Sequence, residues 1–142
     1  MVFLCAETGR LSFSDGLTLT EGMPAERLNE RFHNPIADDL TLFLGAHPLR
    51  GGSLAPVCLL DRRGLRCVTL HVEGVGPKGG AGADKQRSFL FSVFSLRDPC
   101  PDSRRGVQAR FPFGSVTIYT EPYSGGAAAR VEYRRPTETT EE

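Results

Sequence analysis

The sequence predicts a mostly β, α+β fold, in which a curved antiparallel sheet of about eight strands carries one short helix packed on one face. Short segments rich in β-branched and aromatic residues recur along the chain, and glycine, proline and aspartate separate them at the close spacing typical of antiparallel strands. Only residues 24–32 show helical spacing instead. The 142 residues, 39% of them apolar, suit one domain, which we place at residues 1–136, followed by a disordered acidic tail at residues 137–142.

The opening of the chain predicts strands from its first residues. An apolar segment is followed by a turn at residues 7–9, and a second turn at residues 14–16 leads into a short segment at residues 17–20. Because Glu7 interrupts the apolar run too early for an export signal, we expect a cytoplasmic protein. No apolar stretch approaches the roughly 20 residues of a membrane span, so no membrane partner is expected.

Residues 24–32 predict the one helix. Pro24 suits a first helical position, and Leu28 and Phe32 lie four residues apart on one helical face. Pro35 then ends the helix, because the residue before a proline avoids the helical conformation.

The later strands are predicted from β-rich segments between turn residues. The clearest pair is a hairpin, residues 54–60 and 65–72, joined by a turn at residues 61–64. Residues 88–96 are wholly apolar on one face at strand spacing, and residues 98–110 form a connector whose structure the sequence leaves open. The other strands are predicted at residues 40–44, 107–111, 115–120 and 128–135.

The four cysteines, Cys5, Cys58, Cys67 and Cys100, lack the Cys-x-x-Cys spacing of a structural zinc site. Reduced thiols are the default in the cytosol. Cys58 and Cys67 flank the hairpin turn and could face each other, near enough for a disulfide under oxidation, so the sequence leaves their pairing open.

A glycine-rich segment follows the hairpin. Residues 74–79 read Gly-Val-Gly-Pro-Lys-Gly, the spacing of a dinucleotide-binding G-x-G-x-x-G. That fingerprint requires a helix N-terminus next, whose free amides hold the pyrophosphate, whereas the sequence predicts a strand at residues 88–96. We therefore expect no nucleotide and no other cofactor, and we interpret residues 74–84 as a mobile connection or a loop that contacts a partner.

The histidines predict neither a metal site nor a catalytic site. His33, His47 and His71 are spread over three elements, at none of the short spacings that metal sites favour. A nucleophilic pair of His71 with Cys67 would need contact geometry that the sequence does not supply. We therefore expect a protein that is not an enzyme.

Charge is divided unevenly although the formal net charge is zero. Residues 1–61 carry eight acids and four bases (−4), residues 62–135 carry six acids and thirteen bases (+7), and residues 136–142 add three glutamates (−3). Such a block can mark a surface that meets an oppositely charged partner, or a solvated arginine-rich surface. Because overall neutrality weakens the attraction to phosphates, nucleic acid is not the expected partner.

Several turn and strand segments at the two ends of the chain form a pattern: residues 6–11, 15–20, 111–116, 123–126 and 131–134. These segments resemble the two ends of a group of small bacterial proteins, some of which resemble immunity partners of interbacterial toxins. The resemblance implies an opening hairpin, a short helix, an antiparallel sheet and a closing strand pair linked by glycines. Residues 98–110 depart from the pattern, because they are too short and proline-rich for a long charged helix.

The leading hypothesis is a non-catalytic protein that binds another protein, as an immunity protein that neutralises a cognate toxin by direct contact. Charged side chains in loops are the expected partner contacts: Asp38, Asp39, Lys78, Asp84 and Lys85. The alternatives are a small enzyme or ligand-binding β-barrel, with His71, Cys67 and an acid in one pocket, and an inhibitor of another bacterial defence machine. Partner identity and oligomeric state stay open.

Overall fold

The computed structural model describes residues 3–24, 27–28, 36–37, 41–100 and 105–134. Within them the chain forms ten strands, one 3₁₀ helix and one α-helix with described bounds, besides two helical residues at positions 27 and 28. This confirms the predicted mostly β, α+β fold class with a short helix packed on an antiparallel sheet. The strands are β1 (Leu11–Ser12), β2 (Thr18–Leu19), β3 (Ile36–Ala37), β4 (Thr41–Phe43), β5 (His47–Leu49), β6 (Gly52–Asp61), β7 (Gly64–Glu73), β8 (Val107–Phe111), β9 (Gly114–Thr120) and β10 (Ala127–Tyr133). The 3₁₀ helix is Gly79–Gly82 and helix α1 is Ala83–Val93.

The described strands form one large antiparallel sheet and one small one. The large sheet has the order β3-β4-β6-β7-β10-β9-β8, and β5 pairs with β6 beside that path. Strands β1 and β2 pair with each other only. Because β3 and β8 lie at opposite edges, the described strands form an open sheet and not a closed barrel.

The two long strands β6 and β7 form the predicted hairpin, with the turn where the sequence places it. Inward and outward positions alternate along β6, as a sheet with one covered face requires. The predicted strands at residues 40–44, 115–120 and 128–135 are also present, within a few residues of their predicted bounds, and the strand at residues 107–111 has the predicted bounds. Strand β5, which contains Pro48, was not predicted.

Helix α1 contradicts the strand predicted at residues 88–96. The buried residues of the helix are Ala83, Gln86, Arg87, Leu90 and Phe91, a spacing of three, four and seven that lies on one helical face. The strand prediction was wrong because the alternating apolar residues near Phe91 fit both periods, and the two buried polar residues of the helix were not counted as inward-facing.

The predicted helix at residues 24–32 lies largely outside the described residues. Arg27 and Leu28 are described, both are helical, and Leu28 is buried. The predicted tail at residues 137–142 lies wholly outside them. The opening hairpin is shorter than predicted, because Leu4 and Leu11 form only an isolated bridge.

Cys58 and Cys67 point to opposite faces of the sheet and are not bonded to each other. In the register of β6 and β7, Cys58 lies opposite Val68, whereas Cys67 lies opposite Leu59. Since neighbouring positions on a strand face opposite ways, the Cys58 thiol points into the core and the Cys67 thiol points to the other face of the sheet, where it is also buried. Both thiols are free, and a disulfide between them would require a different register.

The core lies between one face of the large sheet, helix α1 and the N-terminal segment. The ring of Phe3 meets Phe13 edge-on with centroids 5.1 Å apart, and Phe94, just past the helix, with centroids 5.3 Å apart. Aromatic pairs in this geometry stabilise beyond the area that they bury. These contacts hold the helix end and the N-terminal segment in one layer.

A buried tyrosine joins the two ends of the described chain. The Tyr133 hydroxyl donates a hydrogen bond to the Gly9 carbonyl oxygen at 2.8 Å, and burial raises the pKa of that hydroxyl. A Cβ at Gly9, whose φ is +77°, would lie 2.6 Å from both the Tyr133 ring and the Phe113 ring. Only glycine at position 9 therefore lets the opening turn pack this closely against β10.

Replacing Tyr133 by phenylalanine is expected to lower the free energy of unfolding by about 1–2 kcal/mol, because the buried Gly9 carbonyl loses its donor. Chemical denaturation measures the change. Tyr123→Phe is the matched control: its side chain is 97% exposed, so no more than about 0.5 kcal/mol should be lost. Equal losses in the two variants would contradict the role assigned to the hydroxyl.

Candidate functional site

A pocket of about 320 Å³ opens at one end of the large sheet. Its walls are the end of β7, the following residues 74–79, which we call the glycine loop, and the turn from β9 to β10 at residues 121–126. Gln86 of helix α1 also lines it. The volume lies at the lower end of the range of small-ligand sites.

The glycine loop turns the chain back from β7 toward helix α1. Gly74, Gly76 and Gly79 have φ values of +73°, +65° and +68°, which favour glycine. Gly79 also approaches the Ser124 carbonyl so closely that a Cβ would lie 2.8 Å from that oxygen. At Gly79 the loop therefore meets the β9–β10 turn backbone to backbone.

Gln86 fixes the loop to the sheet. Its side-chain amide donates to the Pro77 carbonyl oxygen at 3.1 Å, and its amide oxygen accepts from the Ala127 backbone N–H at 2.9 Å. The side chain is buried and both of its polar ends are hydrogen-bonded, so it connects the loop, the helix and β10 at defined positions.

The β9–β10 turn holds a carboxylate at the pocket. Glu121 accepts hydrogen bonds from the Tyr123 N–H at 3.1 Å and the Ser124 N–H at 2.8 Å, one on each carboxylate oxygen. These bonds, with that from Ser124 the larger cause, lower the pKa of Glu121, and the nearby His71 lowers it further when its imidazole is protonated. The carboxylate is therefore ionised and held in one orientation.

Opposite charges share the pocket wall. Glu73 and Glu121 contribute two negative charges and Lys78 one positive charge, which leaves −2 + 1 = −1 when His71 is neutral. His71 lies on the sheet face that points away from the core, between Ala55 and Ala128 in the register. The pocket can accept hydrogen bonds from a cationic group more readily than it can hold an anion.

The glycine motif at residues 74–79 is followed by a helix and not by the predicted strand, so the reason given for excluding a nucleotide was wrong. Other features still differ from a dinucleotide site. The strands β7 and β10 that flank the pocket are antiparallel, whereas the fingerprint belongs to a parallel βαβ unit. Glu73 and Glu121 line the same pocket and would repel a pyrophosphate.

Three of the five predicted contact residues lie at this end of the molecule. Lys78 lines the pocket. Asp84 and Lys85 are exposed on the first turn of α1, and the stem of Lys85 passes close to Gly76. Asp38 and Asp39 lie outside the described residues.

The sequence reasoning missed Glu121 and Gln86. The signal for Glu121 is local, because an acid that begins a turn ending in Ser-Gly-Gly can accept hydrogen bonds from the turn's own amides. Gln86 carries no such signal, since its two partners, Pro77 and Ala127, lie 9 and 41 residues away.

The conjectured pair of His71 and Cys67 is not assembled. The two residues lie four positions apart on β7, which separates them by about 13 Å along a strand. The Cys67 thiol instead accepts a hydrogen bond from Arg130 Nε at 3.3 Å, and burial, the largest cause, raises its pKa. A raised thiol pKa is the opposite of what a nucleophilic cysteine needs.

The fold and the pocket define an α+β protein with a small pocket, lined by charged residues, at one end of an open antiparallel sheet. Comparison of the chain with protein-family models, with curated proteins and with solved structures found no match. In the part of the chain that the structure describes, no helix has the length and apolar character needed to cross a membrane.

Proposed function

We propose that this is a non-catalytic protein-binding protein that acts in the cytoplasm as an immunity protein, neutralising a cognate interbacterial toxin by direct contact. The contact surface is the pocket end: the glycine loop, the β9–β10 turn and the first turn of helix α1. Lys78, Asp84 and Lys85 are the partner contacts on this surface, and Asp38 and Asp39 keep the same proposed role.

The observation that carries the proposal is the exposure of Tyr123. Its side chain is 97% exposed although its backbone is fixed by a hydrogen bond to Glu121. Tyrosine is among the residues that contribute most at protein interfaces, because its ring buries a large area at a small cost in conformational entropy. A fully exposed tyrosine on a rigid turn is therefore well suited to anchor a partner.

The charges around Tyr123 add specificity. Lys78, Asp84 and Lys85 are exposed beside the pocket, on a scaffold whose backbone is held by Gln86. Mixed charges on a fixed surface select a partner of complementary pattern and steer its approach. The glycine loop can approach a partner closely because it presents few side chains.

Co-expression with candidate toxins encoded beside the gene tests the proposal, with growth rescue and copurification as the readouts. The wild-type protein should rescue growth and form a complex, and Tyr123→Ala should weaken the complex by about tenfold or more. Phe43→Ala is the matched control, because Phe43 is the other strongly exposed aromatic side chain among the described residues, 49% exposed, and lies on β4 away from the pocket lining. If the wild-type protein neither rescues nor copurifies, the proposal is wrong.

A further inference from the structure

We infer that the pocket receives an arginine side chain of the partner, with Glu121 as the acceptor of its guanidinium. The inference rests on the proposed function, because it states which partner chemistry the surface recognises. It also predicts a ligand for the isolated protein, so the inference and the proposed function can fail separately.

Glu121 has the acceptor capacity that a guanidinium requires. An ionised carboxylate offers about four acceptor positions on two oxygens. The backbone N–H groups of Tyr123 and Ser124 use one position on each oxygen, and the Ser124 hydroxyl also interacts with the carboxylate. A guanidinium fork meets the outer side of both oxygens with two parallel hydrogen bonds once that hydroxyl turns away.

The rest of the pocket suits the same side chain. Glu73 supplies a second carboxylate, and the apolar Val72, Val75 and Ala127 line the wall beside it. Arginine has a long methylene stem that packs on apolar surface while its charged head meets acceptors. A volume of about 320 Å³ holds one long side chain rather than a helix or strand.

Other ligand classes fit less well. A phosphate or carboxylate would meet two glutamates against Lys78 and, when its imidazole is protonated, His71. A lysine ammonium is a compact charge that cannot make two parallel bonds to one carboxylate, whereas the planar guanidinium can. Lys78 lies on the exposed glycine loop, where it can pair with an acid that flanks the arginine in the partner.

Titration of the isotope-labelled protein with Nα-acetyl-arginine amide, followed by amide NMR shifts, tests the inference without a partner. The shifts of Tyr123, Ser124 and the glycine loop should change and saturate with a dissociation constant of about 1–10 mM, as expected for one side chain. Nα-acetyl-citrulline amide, which keeps the shape but removes the charge, should bind at least about tenfold more weakly. Equal binding of the two probes, or no saturable shift with the arginine probe, would overturn the inference.

The variant Glu121→Gln tests whether Glu121 binds the probe. Glu132→Gln is its control, since Glu132 is an exposed acid on β10 that does not line the pocket. Glu121→Gln should abolish saturable binding of the arginine probe, and Glu132→Gln should leave it unchanged. An unchanged amide spectrum outside the pocket verifies that each variant is folded. If Glu121→Gln binds the probe as the wild type does, the assignment of Glu121 is wrong.

The partner complex separates the two proposals. A wild-type complex that forms while the arginine probe fails to bind overturns the arginine inference and leaves the proposed function standing. Probe binding in the absence of any wild-type complex overturns the immunity function and leaves the ligand class of the pocket supported.

Discussion

Replacing Gly64 by alanine is expected to lower the free energy of unfolding by about 3–4 kcal/mol, a large share of the stability of an ordinary domain. Gly64 has a φ of +97°, which costs a residue with a Cβ about 1–2 kcal/mol. An added Cβ would also overlap the Gly22 carbonyl oxygen and lie 2.7 Å from the Met23 carbonyl oxygen. Backbone atoms cannot move aside cheaply, so the steric cost adds about 1–3 kcal/mol.

The neighbouring hydrogen bonds raise the cost of any such movement. Gly22 donates to the Leu65 carbonyl at 2.8 Å, and Leu65 donates to the Met23 carbonyl at 2.9 Å. Shifting the chain away from Gly64 would therefore strain both bonds. Gly45→Ala isolates the backbone cost, because its φ is +74° and a Cβ there would meet nothing within 4 Å. Denaturation should show that Gly45→Ala lowers the free energy of unfolding by about 1 kcal/mol. A loss for Gly64→Ala that is no greater than this would contradict the packing argument.

Replacing Arg87 by methionine is expected to cost about 3 kcal/mol, because it leaves Asp98 without its charged partner in a largely buried site. Arg87 Nε and one terminal nitrogen, Nη2, donate to the two oxygens of Asp98 at 2.6 and 2.9 Å, and Nη1 donates to the Arg105 carbonyl at 2.6 Å. The side chains of Arg87 and Asp98 are 7% and 15% exposed. The pair thus ties helix α1 to the connector that leads to β8.

Arg110→Met is the control for Arg87→Met, since Arg110 is exposed on β8 and should lose no more than about 0.5 kcal/mol. Adding Asp98→Ala to Arg87→Met should recover part of the loss, because no uncompensated charge is then left buried. Thermal or chemical denaturation of Arg87→Met, Asp98→Ala, the double variant and the control Arg110→Met measures this. Full additivity of the two substitutions would show that the charges are not coupled.

The Arg87–Asp98 pair also predicts the direction of the acid dependence. The Arg87 guanidinium holds the pKa of Asp98 below its usual value of 3.8. A carboxyl whose pKa is lowered by folding stabilises the folded state above its unfolded pKa, and this contribution is lost as the pH falls through the folded value. The stability difference between wild type and Arg87→Met should therefore be largest near neutral pH and should shrink as the pH falls toward the lowered pKa of Asp98 in the wild type.

Local turn chemistry explains why much of the sheet could be predicted. The turn at residues 61–64 contains Asp61, whose side chain accepts from the Arg63 N–H at 2.8 Å, and Gly64 at positive φ. Both features depend only on residues close together in the sequence, so the β6–β7 hairpin can be predicted from the local sequence. Turn residues mark the ends of β9 and β10 in the same way.

Helix α1 shows where local reasoning fails. Phe89, Phe91 and Val93 alternate as in a strand, yet the chain buries Leu90 and Phe91 together with Gln86 and Arg87. A polar residue can face inward only if a distant partner satisfies it, and those partners are Asp98, Arg105, Pro77 and Ala127. Their positions are set by the assembled fold, and no periodicity in residues 83–93 encodes them.

The amino-acid sequence by itself determined the mostly β class, the long hairpin and the exposed charge of the glycine loop, because turn residues and alternating apolar positions act between near neighbours. The tertiary structure alone decided that Glu121, His71, Lys78 and Gln86 meet in one pocket and that Cys58 and Cys67 face apart. The physical reason is register: strand pairing and the packing of α1 on β9 and β10 bring together residues from distant parts of the chain.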